Sequence, residues 1–447
     1  MLFKTALVGL VCGACALAQK VIVPGATWTD TSGTVIQAHG GGILKVDSTF
    51  YWFGEDKVLN STLFHAVSCY TSTDLVTWAR QTDALSPIDG TMISTSNVVE
   101  RPKVIFNSAT NEYVMWFHSD TGNYGAAMVG VATSSSPGGP YNYLGSFKPL
   151  GADSRDMGLF QDDDGSAYLL YASDNNQNFK ITKLTSDYHN VTSVTSQLNG
   201  STLEAPGIVK RSGTYFLIAS HTSGWDPNPN KYFTATSLAG PWSSQADIAP
   251  SATRTYFSQN NYDLPLGSNA IYMGDRWRVS VLGSSRYIWY PLDFSSGSPK
   301  IVPADVWSVD IAAGTYTALM GTSYEAEKGT VGGSANITSS SAFSGGAYVG
   351  FLGNGGTVTI TVQGSGADQW VALYYANADS SWRTVTVSVN GGTAVSVDQP
   401  NTGGVSTILS VPVKVHLNSG SNTIEFGAGQ STFAGDLDKI IVFPPTS

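Results

Sequence analysis

The chain has 447 residues, of which 13% are charged, 11% are aromatic and 48 are glycine. That length holds two or three domains, and that balance fits a secreted, turn-rich all-β protein better than a helical enzyme or a disordered chain. The net charge of -10 is spread without basic clusters, which argues against nucleic-acid partners and anionic membranes and leaves a neutral or weakly charged ligand, with a monomer as the default.

Residues 1–18 read as a signal peptide: Lys4, an apolar stretch to Cys15, then Ala16-Leu17-Ala18 as a small-x-small cleavage site. Cys12 and Cys15 leave with it, so Cys69 stands alone and reads as a small buried hydrophobe. No later run is apolar and long enough to span a bilayer. In a secreted, extracellular protein the sequons at Asn60, Asn190, Asn199 and Asn336 become glycosylation sites on surface loops.

Aromatic-rich strands follow at Phe50 to Glu55, Glu112 to His118, Ala167 to Ala172, Thr214 to Ala219 and Arg276 to Val281; after the first four comes a strand ending in a Ser/Thr-rich turn. Self-similarity at roughly fifty to sixty residues predicts a five-bladed β-propeller over residues 19–313. The segments that open the units carry Gln37, Glu100, Asp156, Glu204 and Gln259, an acid or an amide each time. In a propeller those starts converge on the axis and share one polar cavity. A short linker, residues 314–322, leads to Gly/Ser/Thr-rich alternating strands that predict a separate β-sandwich (jelly-roll) over residues 323–447.

Glu204 stands out because Ala205, Pro206 and Ile208 surround a carboxyl at the start of a buried strand. Such flanks favour the neutral form, and a negative Asp156 on the neighbouring blade would hold that proton in place. A protonated carboxyl beside a leaving oxygen is half of what glycoside hydrolysis requires; in inverting enzymes the second group stands roughly 6.5–9.5 Å away.

Arg155 to Leu169, with Glu204-Ala205-Pro206-Gly207-Ile208 and Gly213 to Leu217, resembles the central and acid motifs of glycoside hydrolase family 43, over Val21 to about Ile311. The resemblance implies an inverting five-bladed propeller in which Glu204 is the general acid and Asp156 tunes and orients it. Most of that family carries a catalytic-base Asp in the first blade, whereas here the stretch reads Ala38-His39-Gly40-Gly41-Gly42. With Glu100-Arg101-Pro102-Lys103 and Trp116 to Asp120, this is similar to the exo-β-1,3-galactanase (galactan 1,3-beta-galactosidase) branch. Its substrate class is β-1,3-galactan, the backbone of arabinogalactan proteins.

Gln259 or Glu100 would position the water, with Gln259 preferred and Glu100 gripping hydroxyls. Glu55, Tyr124, Asn178, Thr222 and Trp225, on loops after the aromatic strands, are the candidate sugar contacts. His39, His118 and His221 lack ligand spacing and read as hydrogen-bonded core histidines, so no catalytic cofactor is expected. The rivals are an arabinofuranosidase or xylosidase of the same family, and a lectin-like galactan binder that cleaves nothing.

Pairing of the first and last strands of the C-terminal sequence would place Glu325, Glu327 and Asp438 around a hard cation, Ca2+. Tyr324-Glu325-Ala326-Glu327 and Gly435 to Ile440 resemble carbohydrate-binding module family 35, which implies a structural calcium. Tyr348, Phe351, Trp382, Phe433 and Asp436 are the candidate module ligand residues.

Overall fold

The computed structural model describes residues 19–446; the predicted signal segment, with Cys12 and Cys15, lies outside them. Five four-stranded antiparallel sheets come first. They begin at His39–Val46, Asn97–Asn107, Met157–Gln161, Leu203–Arg211 and Gln259–Leu266, and these first strands touch in cyclic order, the last returning to the first. The apolar residues between the sheets form separate clusters, each drawing on neighbouring sheets. Each sheet therefore buries its faces against its neighbours, and the ring needs no central apolar core.

The first strands are where the backbone departs from regularity. Pairing slips between His39 and Gly42, Glu100 and Lys103, Glu204 and Gly207, and Asn260 and Tyr262. A bulge re-aims the side chain beside it, and here each one lies near the start of its sheet's first strand. Gly40, Arg101 and Ala205 take the left-handed conformation with φ of 59°, 54° and 54°. Only glycine does so without cost, so Arg101 and Ala205 mark places where geometry outweighs local preference.

The aromatic strands are the second strands of the first four sheets. The fifth departs from the expectation: its second strand is Asn269–Arg276, and Val279–Ser284 is a 3-10 turn. Ala270, Ile271, Tyr272 and Met273 fill the interior instead, and Trp277 is freed to turn toward the axis.

Residues 307–310 and 315–318 pair as a hairpin, so the expected linker is partly a strand. Beyond it, a six-stranded and a five-stranded sheet pack on one core. Thr322–Glu325 pairs antiparallel with Asp436–Val442, as the sequence predicts. The two parts of the chain meet closely. Arg254, Thr255, Tyr256 and Phe257 form a left-handed turn, with φ between 48° and 57°, a conformation costing about 1–2 kcal/mol per residue. Phe257 is buried in the C-terminal core against Trp382, Arg254 donates to the Asn401 carbonyl at 2.7 Å, and Arg276 donates to the Tyr256 and Phe257 carbonyls. The turn leads straight into Ser258 and Gln259.

Candidate active site

A cavity of about 180 Å³ opens where the first strands begin, lined by Glu55, Glu100, Arg101, His118, Tyr124, Arg155, Asp156, Asn176, Glu204, Gly224, Trp225, Gln259 and Trp277. All four predicted catalytic residues are therefore brought together from four different sheets. The fifth opening residue, Gln37, instead donates to the Gly283 carbonyl at 2.9 Å, and the first sheet contributes Glu55.

Glu204 is 8% exposed. Burial and the negative charge of Asp156 push its carboxyl up to about 8, against the pull of Arg101 and of hydrogen bonds from the Ser223 N–H and Gln259. It is thus protonated at neutral pH. Asp156 is held by Arg101 Nε at 2.7 Å and accepts from the Ala205 N–H at 3.2 Å, so the strained bulge after Glu204 ties the two acids together.

Glu100 has the opposite character. Burial would raise its carboxyl, but the His118 hydrogen bond, Lys57 and Tyr124 hold it down to about 2. Tyr124 donates to Oε1 at 2.7 Å and His118 Nδ1 lies 3.2 Å from Oε2. His118 also reaches Asp120 at 3.0 Å; despite burial, these two carboxylates lift the imidazole to about 9. Glu55 pairs with Lys57 Nζ at 2.7 Å and accepts from the Arg101 N–H at 3.0 Å. Burial raises its carboxyl, and Glu100 adds to that.

Glu100, His118 and Asp156 form the one group of three among the described residues close enough to share a metal ion. They do not suit one. An imidazolium carries a proton on each ring nitrogen, which leaves His118 no lone pair, and Asp156 already neutralises Arg101. His39 faces Asp275 at 3.2 Å and His221 faces Gln245 at 3.0 Å, the hydrogen-bonded roles expected from sequence.

Gln259 Oε1 accepts from Arg101 Nη2 at 2.7 Å and Trp277 Nε1 at 2.9 Å; its Nε2 donates to Glu204 Oε1 at 2.9 Å and Ser220 Oγ at 3.1 Å. Trp225 stands edge-on to Trp277 with ring centres 4.9 Å apart. Of the expected sugar contacts, Glu55, Tyr124 and Trp225 line the cavity. Asn178 and Thr222 do not, which corrects the expectation. The Asn178 amide donates to Asp174 and accepts from the Gly200 N–H, and the Thr222 N–H serves the Thr202 carbonyl. Asn176, two residues before Asn178, takes the position instead.

Sequence reasoning missed Lys57, Arg101 and Trp277 as site residues. Arg101 lay inside a quoted motif, adjacent to Glu100, and a buried arginine beside an acid was the available clue. A second cavity of about 210 Å³ lies further along the same first strands, between Gly42 and Lys45 on one side and Tyr262 and Pro265 on the other. It includes no part of the Glu204–Asp156 pair.

In the C-terminal part, Ser344 Oγ donates toward Glu325 Oε2 at 2.6 Å and Asp438 Oδ1 at 3.0 Å. The Glu327 side chain is 6% exposed, and its two carboxylate oxygens are buried without a hydrogen-bond donor. Glu325 and Asp438 thus meet at Ser344 with the buried Glu327 carboxylate near by, but as placed the three do not stand close enough to share one ion. Phe351 and Phe433 are exposed and edge-stacked at 5.9 Å, Tyr348 is half-buried against Phe343, and Asp436 is half-buried. Trp382 departs from its expected place on a ligand loop. It lies between Phe257 and the Arg278 guanidinium, where the two parts of the chain meet.

Residues 37–265 match the model of glycosyl hydrolases family 43, and residues 355–442 match that of the alpha-galactosidase CBM13 domain. The chain is 72% identical to a solved exo-β-1,3-galactanase of Phanerochaete chrysosporium, seen with galactose and with β-1,3-galactotriose; the match covers 95% of this chain and 100% of that one, with a TM-score of 0.94. An exo-β-1,3-galactanase of Clostridium thermocellum is 27% identical over 94% of this chain and 100% of its own, with a TM-score of 0.66. A curated β-D-galactofuranosidase of Aspergillus niger is 29% identical over 194 residues, 39% of this chain and 54% of that relative. The match therefore spans about half of the curated relative's length. Coverage, identity and the paired acids agree: the chain belongs to glycosyl hydrolase family 43, a β-propeller family, and carries a C-terminal β module.

Proposed function

We propose that the protein is an exo-acting β-1,3-galactanase that releases galactose from β-1,3-galactan, such as arabinogalactan-protein backbones, with inversion at the anomeric carbon. The observation that carries this reading is Glu204, kept protonated beside the arginine-paired Asp156 in a pocket whose carboxylates and tryptophans suit a sugar. Likeness to a galactanase seen with β-1,3-galactotriose supports the choice of linkage. Glu204 gives its proton to the glycosidic oxygen as the C1–O bond breaks, and a water oxygen bonds to C1 from the opposite face. The surplus proton of that water passes to solvent, from which Glu204 is reprotonated.

Glu100, held down to about 2, is a weak base whose charged oxygens can still accept a hydroxyl, which favours it as a substrate grip with Glu55 and Tyr124, and favours Gln259 beside the water. Glu100→Gln should then keep measurable activity while raising KM, and Gln259→Leu should lose kcat. Full activity in the second would reverse the two roles.

The reading extends to architecture: a five-bladed propeller over residues 19–313, a linker at 314–322 and a jelly-roll sandwich at 323–447 of the family-35 type. Calcium at Glu325, Glu327 and Asp438 would neutralise that cluster and fasten the first strand of the module. Phe351, Phe433, Tyr348 and Asp436 offer a galactan-binding face. The signal segment directs the chain outside the cell as a monomer, and Asn60, Asn190, Asn199 and Asn336 are all exposed, as glycosylation requires.

Incubation with β-1,3-galactan, followed by chromatography and early-product NMR, tests the reading. It predicts galactose released first as the α-anomer. The β-anomer would overturn inversion, released arabinose or xylose would favour the rival hydrolases, and binding without products would favour the lectin-like protein.

A further inference from the structure

Where the two parts of the chain meet, a groove of about 520 Å³ lies between them. Its charged lining residues are Arg276 and Arg286 on the propeller side, and Asp398 and Lys414 on the module side. Asp398, the one acid, is already ion-paired with Arg278. Among the described residues no carboxylate pairs with Arg276, Arg286 or Lys414, in a chain whose net charge is -10.

The two arginines are also direct neighbours. Asn269–Arg276 and Arg286–Asp293 pair antiparallel, and the register sets Arg276 opposite Arg286, so both side chains leave the same face of the sheet. Like charges in that position repel. Arg276 is 3% exposed and Arg286 is half-buried, and both rest on neutral acceptors. Arg286 Nη1 donates to the Ser284 carbonyl at 2.7 Å and the Ser285 carbonyl at 3.3 Å, as Arg276 does to Tyr256 and Phe257. Burial draws both guanidinium groups below the ordinary arginine value; Asp398 pulls Arg286 back, while Arg278 and Arg276 oppose it. A buried cation held only by carbonyls gains from an anion placed beside it.

The groove is shaped for more than an inorganic ion. Its volume falls in the range of organic-ligand pockets, about 300–1,000 Å³, which favour domain interfaces. Trp370, half-buried, and Pro412 give it an apolar wall, with Lys414 Nζ 5.6 Å from the Trp370 ring centre. The two sides are fastened to each other, since Tyr374 and Ser410 of the module donate to Asp305 at 2.6 and 2.5 Å. A ligand therefore meets a formed site.

We propose that this groove binds an acidic saccharide, a uronate residue whose carboxylate pairs with Arg276 and Arg286 while its C–H face lies along Trp370 and Pro412. The anion follows from the arginines; the choice of a sugar to carry it rests on the galactanase reading. Planar guanidinium forks match a carboxylate. The site is separate from the catalytic cavity: of the consecutive residues Arg276 and Trp277, the first lines the groove and the second the cavity. A charged branch of a polysaccharide thus has a holding point of its own.

Calorimetric titration of the full chain with methyl β-D-glucuronide, methyl β-D-galactoside and sodium sulfate tests the proposal. The glucuronide should bind more tightly than either of the others. Arg286→Gln should weaken it about tenfold and leave galactoside binding unchanged. Lys414→Glu, at an exposed strand position, should weaken it about fivefold and keeps the test open if Arg286→Gln does not fold. Absence of glucuronide binding, sulfate bound as tightly as the glucuronide, equal binding of the two glycosides, or glucuronide binding untouched by these variants would overturn the proposal. If the wild-type chain left β-1,3-galactotriose uncleaved, the galactanase reading would fall, and glucuronide binding lost in Arg286→Gln would still support the groove.

Discussion

Two clusters of acids sit in this chain, and they are neutralised in different ways. In the propeller pocket, Glu55, Glu100 and Asp156 each face a fixed cation: Lys57, His118 and Arg101. Glu204 alone is surrounded by neutral donors and keeps its proton. In the module, Glu325 and Asp438 share the hydroxyl of Ser344, while Glu327 has two buried oxygens without a hydrogen-bond donor and only a distant lysine, Lys328 at 3.8 Å. The first cluster is complete within the protein. The second leaves Glu327 without a hydrogen-bond donor, and in the proposed reading a cation from outside completes it. Desolvation acts on both; the number of internal cations decides whether a group ionises, stays protonated or needs a metal.

The sharpest break in that comparison is at Glu204. Glu204→Gln should lower kcat on β-1,3-galactotriose by roughly 10²–10⁴-fold, with a smaller loss on β-galactosyl fluoride and little change in thermal stability. Glu100→Gln and Glu327→Gln should then move stability in opposite directions. The first removes one of the two carboxylates that hold the His118 imidazolium, leaving Asp120, and should cost about 2 kcal/mol in a denaturant titration. The second removes a buried carboxyl group that has no hydrogen-bond donor and should stabilise the calcium-free protein by about 1 kcal/mol. If both variants lose stability without calcium, the contrast between the clusters fails.

Chelation is expected to act on the module alone. At calcium a hundredfold above its dissociation constant, removal should cost about 2.7 kcal/mol of module stability, seen by calorimetry, while galactotriose cleavage persists. Phe257→Ala probes the join between the two parts, because it empties a site in the module core next to the strained turn before Gln259. It should destabilise by about 3 kcal/mol and lower kcat several-fold on soluble galactotriose, where module binding contributes nothing. An unchanged kcat would mean that Gln259 is held without that brace.

Much of this was legible in the sequence because the repeat is local. Strand, turn and opening residue recur in each unit, so Glu100, Asp156, Glu204 and Gln259 could be aligned before any contact was known. What escaped depends on distance along the chain. Trp277 was counted as part of an aromatic strand, and only the end of Asn269–Arg276 releases it to reach Gln259. Arg101 looks like an ordinary strand residue until a left-handed bulge swings it between Asp156 and Gln259. Trp382 has the composition of a sugar-binding aromatic, but its partners, Phe257 and Arg278, lie more than a hundred residues earlier. Asn176 lies in a turn and Asn178 opens the strand after it, a two-place difference that sequence patterns do not resolve.

The central claim is that this pocket keeps Glu204 protonated beside the arginine-paired Asp156 while the Glu100 carboxyl is held down. The pH dependence of kcat/KM on β-1,3-galactotriose, which reports the free enzyme, tests it most directly, with Glu204→Gln as the control. Because the Glu204 carboxyl is pushed up to about 8, the acid form is present below that pH and lost above it. The account predicts a plateau through neutral pH, a tenfold fall per pH unit above about 8, and loss of that limb in Glu204→Gln. An alkaline limb in the ordinary carboxylate range, or one that survives in Glu204→Gln, would contradict it.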